Sequence, residues 1–145
     1  MIGSQFAIQA SDIPKSVIDA ALSEADLIFN SDYAGTSTLT GRTRTLHDVR
    51  KDTLLGKIGE YIIKTNFGYV EDDAKWHDLI SPTGERTEIK TWRKQYITEA
   101  NTNKVMQQLR NRKKSTRQWF FSTKAIVISC DEQTNVFTIE NVYDI

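Results

Sequence analysis

Residues 78–90 read DLISPTGERTEIK, and this stretch decides the fold. The four residues SPTG in its middle predict a turn, because Pro stands at the second position and Gly84 can take a left-handed conformation. Alternating residues on either side of the turn are typical of β-strands. The stretch therefore predicts a β-hairpin with strands over 74–80 and 85–92.

The register of this hairpin would bring three charged side chains onto one face of the sheet. A three-residue loop pairs Ser81 with Glu85, which sets Asp78 directly opposite Glu88 with their Cβ atoms roughly 5 Å apart. Side chains alternate between the two faces of a strand, so Lys90 shares the face of Glu88. Two carboxylates are therefore expected beside one ammonium group.

Carboxylates this close repel each other, so one must take up a proton or both must share a cation. Paired carboxylates supply the oxygen ligands that Mg²⁺ or Mn²⁺ prefers. A metal there would polarise a phosphoryl oxygen, while Lys90 orients or deprotonates the attacking water. The alternative interpretation is a cross-strand ion pair on a solvated sheet face, which is common and contributes little to stability.

The pattern of Asp78, Glu88 and Lys90 resembles the signature of the PD-(D/E)xK nuclease superfamily, which holds many restriction endonucleases and Holliday-junction resolvases. His77 stands where the name of the motif would place proline. The resemblance implies an α/β (α+β), restriction-endonuclease-like core over about residues 45–140. In this core a mixed central sheet with an antiparallel catalytic hairpin is flanked by helices, and a further helix precedes it in this chain.

The resemblance also implies roles for individual residues. Asp78, Glu88 and the Ile89 carbonyl would hold Mg²⁺, with Mn²⁺ as a substitute, and Lys90 would position the attacking water. Members of the superfamily often add an acidic residue from a helix upstream of the hairpin. Glu60 lies in a helix-like segment about where that residue is expected, so we predict that it completes the shell as a metal or water ligand.

The sequence around Glu60 leaves two interpretations open. Lys64 stands four residues on, and a Glu to Lys pair at this spacing is an ordinary feature of a helix surface. Gly56 and Gly59 favour the site interpretation, because each costs a helix interior about 1 kcal/mol relative to Ala. A helix bears that cost more readily where another backbone or a phosphate must come close.

Length and composition predict a single nuclease domain over 1–145, because 145 residues with 39% apolar content suffice for one core. Its first part, 1–44, would hold a helix and a polar loop, and the catalytic core would follow over 45–140. The first helix is expected over 12–29 with Ser11 as its N-cap, for packing or self-association. Further helices are predicted over 46–66 and 98–114, and further strands over 124–130 and 136–140.

The chain begins without a basic region or a long apolar run, and no stretch approaches the ~20 apolar residues of a membrane span. We therefore expect a cytoplasmic protein, associated with the nucleoid if bacterial or phage, and no membrane partner. Cys130 is the single cysteine and ends an apolar strand, so it is interpreted as a core thiol.

The net charge is zero, but the charges are unevenly spread. Residues 101–130 contain no acid and seven basic residues, a pattern that attracts phosphate without reading sequence. A solvated helix face is the alternative, although such faces usually mix signs. The residues predicted to contact DNA are Arg42, Arg44, Arg110, Arg112, Lys113, Lys114 and Arg117.

Together these features predict a Mg²⁺-dependent endonuclease of restriction, homing or phage type, acting on double-stranded or branched DNA. One hairpin cuts one strand, so cleavage of both strands implies at least a homodimer. The first alternative is a Holliday-junction resolvase of the same superfamily. The second is a non-catalytic nucleic-acid-binding module that keeps the hairpin without metal chemistry.

Overall fold

The computed structural model describes residues 1–30, 43–72, 78–115 and 121–145. Within these ranges the helices are α1 (Lys15–Phe29), α2 (Leu46–Phe67) and α3 (Glu99–Ser115). The strands are β1 (Gln5–Ala7), β2 (Val70–Glu71), β3 (Leu79–Ile80), β4 (Arg86–Arg93), β5 (Lys124–Asp131) and β6 (Val136–Asp144).

The strands form one mixed sheet of six strands in the order β1-β6-β5-β4-β3-β2. β4 and β5 run parallel, and every other neighbouring pair is antiparallel. The predicted mixed α/β class is therefore confirmed. The sheet also extends beyond the range 45–140, because the unpredicted strand β1 pairs with β6, and β6 continues to Asp144.

The register predicted for the hairpin is present. Leu79 pairs with Thr87, and the Ser81 N–H donates to the Glu85 carbonyl at 2.9 Å. Gly84 has the expected left-handed conformation, with a φ of 85°. Asp78 lies just before β3, and the predicted strand residues 74–77 lie outside the described part of the chain.

The first helix begins at Lys15, so the start predicted at residue 12 is wrong. Residues Ala10–Asp12 form a separate 3₁₀ turn, and Pro14 is the N-cap of α1. The cause is Pro14 itself, since the residue before a proline avoids the helical region. Ile13 is accordingly extended, with a ψ of 121°, and Ser11 does not cap the helix.

α2 begins and ends as its sequence predicts. The Thr45 side chain accepts a hydrogen bond from the Asp48 N–H, and the Asp48 carboxylate accepts one from the Thr45 N–H, which together form a capping box. At the other end, Gly68 has a φ of 71°, the left-handed conformation that stops many helices.

The sheet separates two apolar clusters. On one face α2 packs against β4, β5 and β6, and on the other α3 packs against β5. β5 is therefore buried on both faces, with Ile126 and Ile128 towards α2 and Ala125 and Val127 towards α3. Cys130 belongs to the α2 cluster as a buried free thiol whose pKa is raised by burial, which confirms the core interpretation.

Gly59 lets α2 lie directly on β4. A Cβ atom at this position would lie 1.9 Å from the Thr91 Oγ1 atom, so no side chain larger than hydrogen fits without movement. No close contact requires a glycine at position 56, since a Cβ atom there would meet nothing within 4 Å. The close approach at Gly59 brings the next residue, Glu60, towards the hairpin.

Candidate active site

Asp78 is fixed to the edge of β4 by its backbone and its side chain. Its N–H donates to the Thr87 carbonyl at 3.2 Å, and its carboxylate accepts a hydrogen bond from the Ile89 N–H at 2.8 Å. On the other edge of β4, the Arg86 carbonyl accepts from the Thr123 N–H. Backbone groups alternate between the two edges of a strand, so the Ile89 carbonyl lies on the edge that faces Asp78.

Glu88 and Lys90 share one face of β4, as their spacing predicts. The Lys90 Nζ atom lies 3.7 Å from a carboxylate oxygen of Glu88, and their side chains are 29% and 15% exposed. The Ser122 hydroxyl donates to the same carboxylate at 3.4 Å. These exposures do not fit an ion pair on a solvated sheet face.

The two acids of the hairpin repel each other. Burial and the Asp78 charge raise the pKa of Glu88 to about 6, against the opposing effects of Lys90, Arg112 and the Ser122 hydrogen bond. Burial also raises the pKa of Asp78, although the Ile89 N–H and the Lys90 charge act to lower it. The raised pKa values therefore come first from burial and, for Glu88, also from the neighbouring Asp78 charge.

Glu60 lies near Asp78 and does not form the surface pair suggested by its spacing from Lys64. Lys64 pairs instead with Glu71 at 2.9 Å, and Glu60 pairs with Lys57 at 3.6 Å. Burial raises the pKa of Glu60 to about 7, the Asp78 charge adds to the rise, and the Lys57 charge opposes it. A carboxyl group with this pKa can exchange a proton near neutral pH.

The oxygen atoms at the hairpin suit a hard divalent cation. Asp78 and Glu88 supply two neighbouring carboxylates that are mostly buried, and the Ile89 carbonyl lies on the edge of β4 that faces Asp78. Among the described residues, no three His, Cys, Asp or Glu side chains are grouped so that they could hold a metal ion. Mg²⁺ commonly binds through only one or two carboxylates and keeps several waters, so this set fits Mg²⁺, with Glu60 outside direct coordination.

The basic residues of α3 have different surroundings. The Arg112 guanidinium lies 5.6 Å from the centre of the Phe121 ring, and its charge acts to lower the pKa of Glu88, so it points towards the site. Arg110 and Lys113 donate instead to the backbone carbonyls of Asp144 and Ile145, each at 2.7 Å.

The remaining residues predicted to contact DNA are less closely tied to the hairpin. Lys114 is exposed near the end of α3, and Arg44 pairs with Asp52 at 3.7 Å. Arg42 and Arg117 lie outside the described residues, so their placement is not part of the structure.

Sequence reasoning missed Lys57, Ser122 and Glu24. Lys57 had a visible signal, because it precedes Glu60 by three residues and such residues are neighbours on a helix. Ser122 is 34 residues from Glu88 in sequence, and no pattern links them. Glu24 comes from α1 and pairs with Lys57 at 2.9 Å, a contact that only the packing of α1 on α2 creates.

No family model matches the chain, and no curated protein matches it.

Proposed function

We propose that this chain is a Mg²⁺-dependent DNA endonuclease with a restriction-endonuclease-like core. The observation that carries the proposal is the group formed by Asp78, Glu88 and Lys90, in which two mutually repelling, mostly buried carboxylates lie beside one ammonium group. Burial and the Asp78 charge keep the pKa of Glu88 raised although Lys90 and Arg112 act to lower it, so a divalent cation bound by both carboxylates would relieve their repulsion.

The path of the chain supports the proposal. α2 leads into the antiparallel strands β2, β3 and β4, then α3, and then β5 parallel to β4. The resemblance stated from sequence implies this same order of helix, three-stranded antiparallel meander, helix and further strand. Asp78 lies just before β3, and Glu88 and Lys90 lie within β4 on one face of the sheet.

Each residue of the site has a role in phosphodiester hydrolysis. Bound between Asp78, Glu88 and the Ile89 carbonyl, Mg²⁺ would polarise a phosphoryl oxygen and lower the pKa of water. The Lys90 ammonium orients the attacking water and stabilises negative charge that develops on it. Glu60, whose pKa is about 7, takes up or returns a proton beside Asp78.

The substrate of this reaction would be double-stranded or branched DNA. Arg112 points towards Glu88 and can contact a phosphate close to the cut, while Lys114 adds charge further along α3. A homodimer would place one hairpin on each strand of a duplex. Such an enzyme would act inside the cell, where it meets DNA, and restriction, homing or phage functions suit it.

The decisive experiment is cleavage of supercoiled plasmid DNA with Mg²⁺ and again with EDTA. We expect nicked or linear product only with Mg²⁺, and none from Lys90→Met or Glu88→Gln protein. Lys94→Met is the matched control, because Lys94 is an exposed lysine on the segment after β4, away from the three residues of the motif.

Two further observations separate the resolvase and the binding-module alternatives. Selective cleavage of a four-way DNA junction over a linear duplex would favour a resolvase. DNA binding without cleavage in Mg²⁺ or Mn²⁺ would contradict the proposed enzyme and favour a non-catalytic binding module.

A further inference from the structure

α1 lies outside the part of the chain covered by the resemblance, yet it reaches the candidate site. Ala21 and Ala25 are buried where α1 packs on α2, and their small side chains let the two helices come close. Glu24, between them in sequence, pairs with Lys57 of α2 at 2.9 Å. The N-terminal helix thus adds a carboxylate to the surroundings of Glu60.

Lys57 lies between this carboxylate and the site. Its Nζ atom is 2.9 Å from Glu24 and 3.6 Å from Glu60, so the shorter contact is with α1. Burial acts to lower the pKa of Lys57. The hydrogen bond to Glu24 and the charges of Glu60, Glu24 and Asp78 together outweigh burial and raise this pKa, so the group stays cationic. The lysine is therefore always positively charged, and it lies near Glu60 and Asp78, two of the carboxylates that we assign to the site.

Lys57 has both the reach and the room to move. A lysine ammonium is a point charge on a flexible stem, and it can take several positions around its Cα atom. A groove of about 250 Å³ between α1 and α2 is lined by both Lys57 and Glu60. Without Glu24, the nearest acid to Lys57 in sequence and in space is Glu60, one turn along the same helix.

We propose that Glu24 is a positioning residue, which draws the Lys57 ammonium towards α1 and so limits its pairing with Glu60 and its charge near Asp78, where a divalent cation and its waters would bind. This inference rests on the proposed metal-dependent function. An ammonium released from Glu24 would move closer to Glu60 and Asp78, and its positive charge there would repel a divalent cation bound at Asp78. α1 would then tune metal affinity rather than serve only as packing.

The test is a titration of the full-length protein with Mn²⁺ in the absence of DNA, at pH 8 and low salt. Electron paramagnetic resonance detects the free Mn²⁺ and so measures the affinity. We expect Glu24→Gln to weaken Mn²⁺ binding about fivefold, which corresponds to the loss of one exposed ion pair. In a Lys57→Met background the same substitution should have almost no effect, because the ammonium that Glu24 holds is gone. Asp26→Asn is the matched control, since Asp26 is also on α1 but pairs with Arg50. The Asp26→Asn protein should bind Mn²⁺ like the wild type.

Each outcome decides between distinct roles. Equal weakening by Glu24→Gln in both backgrounds would mean that Glu24 acts only through its own charge and would overturn the proposal. A lower melting temperature with an unchanged Mn²⁺ titration would reduce α1 to packing, with the same consequence. If the wild-type protein binds no Mn²⁺, the proposed metal site itself fails, whereas failure of the Glu24 effect alone leaves that site intact.

Discussion

In the described part of the chain, two groups of charged side chains near β4 differ in how their charges are balanced. One is the candidate site, formed by Glu60, Asp78, Glu88 and Lys90. The other, which we term the Arg93 network, lies at the far end of β4 beside a cleft of about 790 Å³. It consists of Arg44, Lys51, Asp52, Arg93 and Glu132.

The Arg93 network has three cations for two acids. Lys51 and Arg93 both contact Glu132, at 2.6 and 2.5 Å, and the Lys51 hydrogen bond is the main reason why the pKa of Glu132 is lowered. Asp52 nevertheless has a raised pKa, because its burial outweighs Arg93 and Arg44. Burial alone therefore does not distinguish a structural network from a functional site.

The candidate site differs in the number of its acids that are affected by another acid, because Asp78 raises the pKa of two of them, whereas in the Arg93 network Asp48 raises the pKa of Asp52 alone. Asp78 raises the pKa of both Glu60 and Glu88, in addition to burial, whereas the two acids of the Arg93 network each contact two cations. Buried acids whose pKa is raised further by a neighbouring acid are typical of sites that bind metal or move protons. The comparison thus predicts that the Arg93 network stabilises the fold and that the candidate site costs stability.

The largest expected effect is the loss of cleavage in Lys90→Met protein. We expect a decrease on the order of 10³-fold in single-turnover rate, since Lys90 acts on the charge that develops during attack. DNA affinity should change less than twofold, because one charge among many contributes little to phosphate binding. Lys51→Met, in the Arg93 network, should retain nearly full cleavage, and equal losses in both variants would remove the distinction between the two groups.

The second prediction concerns pH and stability without metal. The pKa of Glu60 rises from 4.5 to about 7 on folding, and that of Glu88 to about 6. Between these values the folded protein binds more protons than the unfolded chain, so the free energy of unfolding should fall as pH rises from about 4.5 to 7. Glu60 alone would account for about 3 kcal/mol before solvent screening is considered.

Urea denaturation across this pH range would measure the slope, and Glu60→Gln should flatten it. Within the Arg93 network, Glu132 should act in the opposite direction, because its lowered pKa gives stability that is lost only as pH falls below about 4.5. If the stability of Glu60→Gln protein depends on pH as steeply as that of the wild type, then Glu60 is ionised at neutral pH and Asp78 does not raise its pKa.

The sequence predicted the hairpin well because its turn chemistry and its alternation act locally. Ser81, Pro82 and Gly84 fix the loop, and the loop fixes the register that sets Asp78 against Glu88. The bounds of α2 and α3 were predicted to within one residue, because their start and stop signals are also local. The roles of these residues in chemistry stay predictions.

What the sequence did not predict depends on contacts between distant segments. β1 has only three residues with one partly buried side chain, and it exists because it pairs with β6. The contacts of Glu24 with Lys57 and of Ser122 with Glu88 arise from packing and leave no periodic signal. The Arg93 network likewise joins Asp52 of α2 with Glu132, which follows β5, and no pattern in the sequence links them.

The third prediction tests how α2 places Glu60. Gly59→Ala should destabilise the protein by about 2 kcal/mol, because the added methyl group overlaps Thr91 and must push α2 away from β4. Gly56→Ala is the matched control and should stabilise by up to about 1 kcal/mol, since its Cβ atom meets open space in a helix. Thermal denaturation measures both, and similar values for the two variants would contradict the close approach at Gly59.

The fourth prediction compares one acid from each group. Glu132→Gln should lower the free energy of unfolding by about 1 kcal/mol, because it removes the partner of Lys51 and Arg93 at a partly exposed site. Glu88→Gln should leave stability without metal unchanged or higher, since it relieves repulsion with Asp78. Mg²⁺ should raise the melting temperature of the wild type and of Glu132→Gln but not of Glu88→Gln. Strong destabilisation by Glu88→Gln would instead favour a structural ion pair with Lys90.

The smallest expected effect separates the two kinds of basic residue on α3. Arg112→Gln should flatten the dependence of log DNA affinity on log salt concentration by about 0.9, the value for one lost phosphate contact. Arg110→Gln removes a hydrogen bond to the Asp144 carbonyl, so it should cost about 1 kcal/mol of stability and leave the salt slope almost unchanged. Fluorescence anisotropy over a salt series, with an uncleavable duplex and EDTA, measures both slopes. Equal slopes for Arg112→Gln and the wild type would mean that α3 does not contact the phosphates, and the DNA path would then have to follow the segment that carries Arg42 and Arg44.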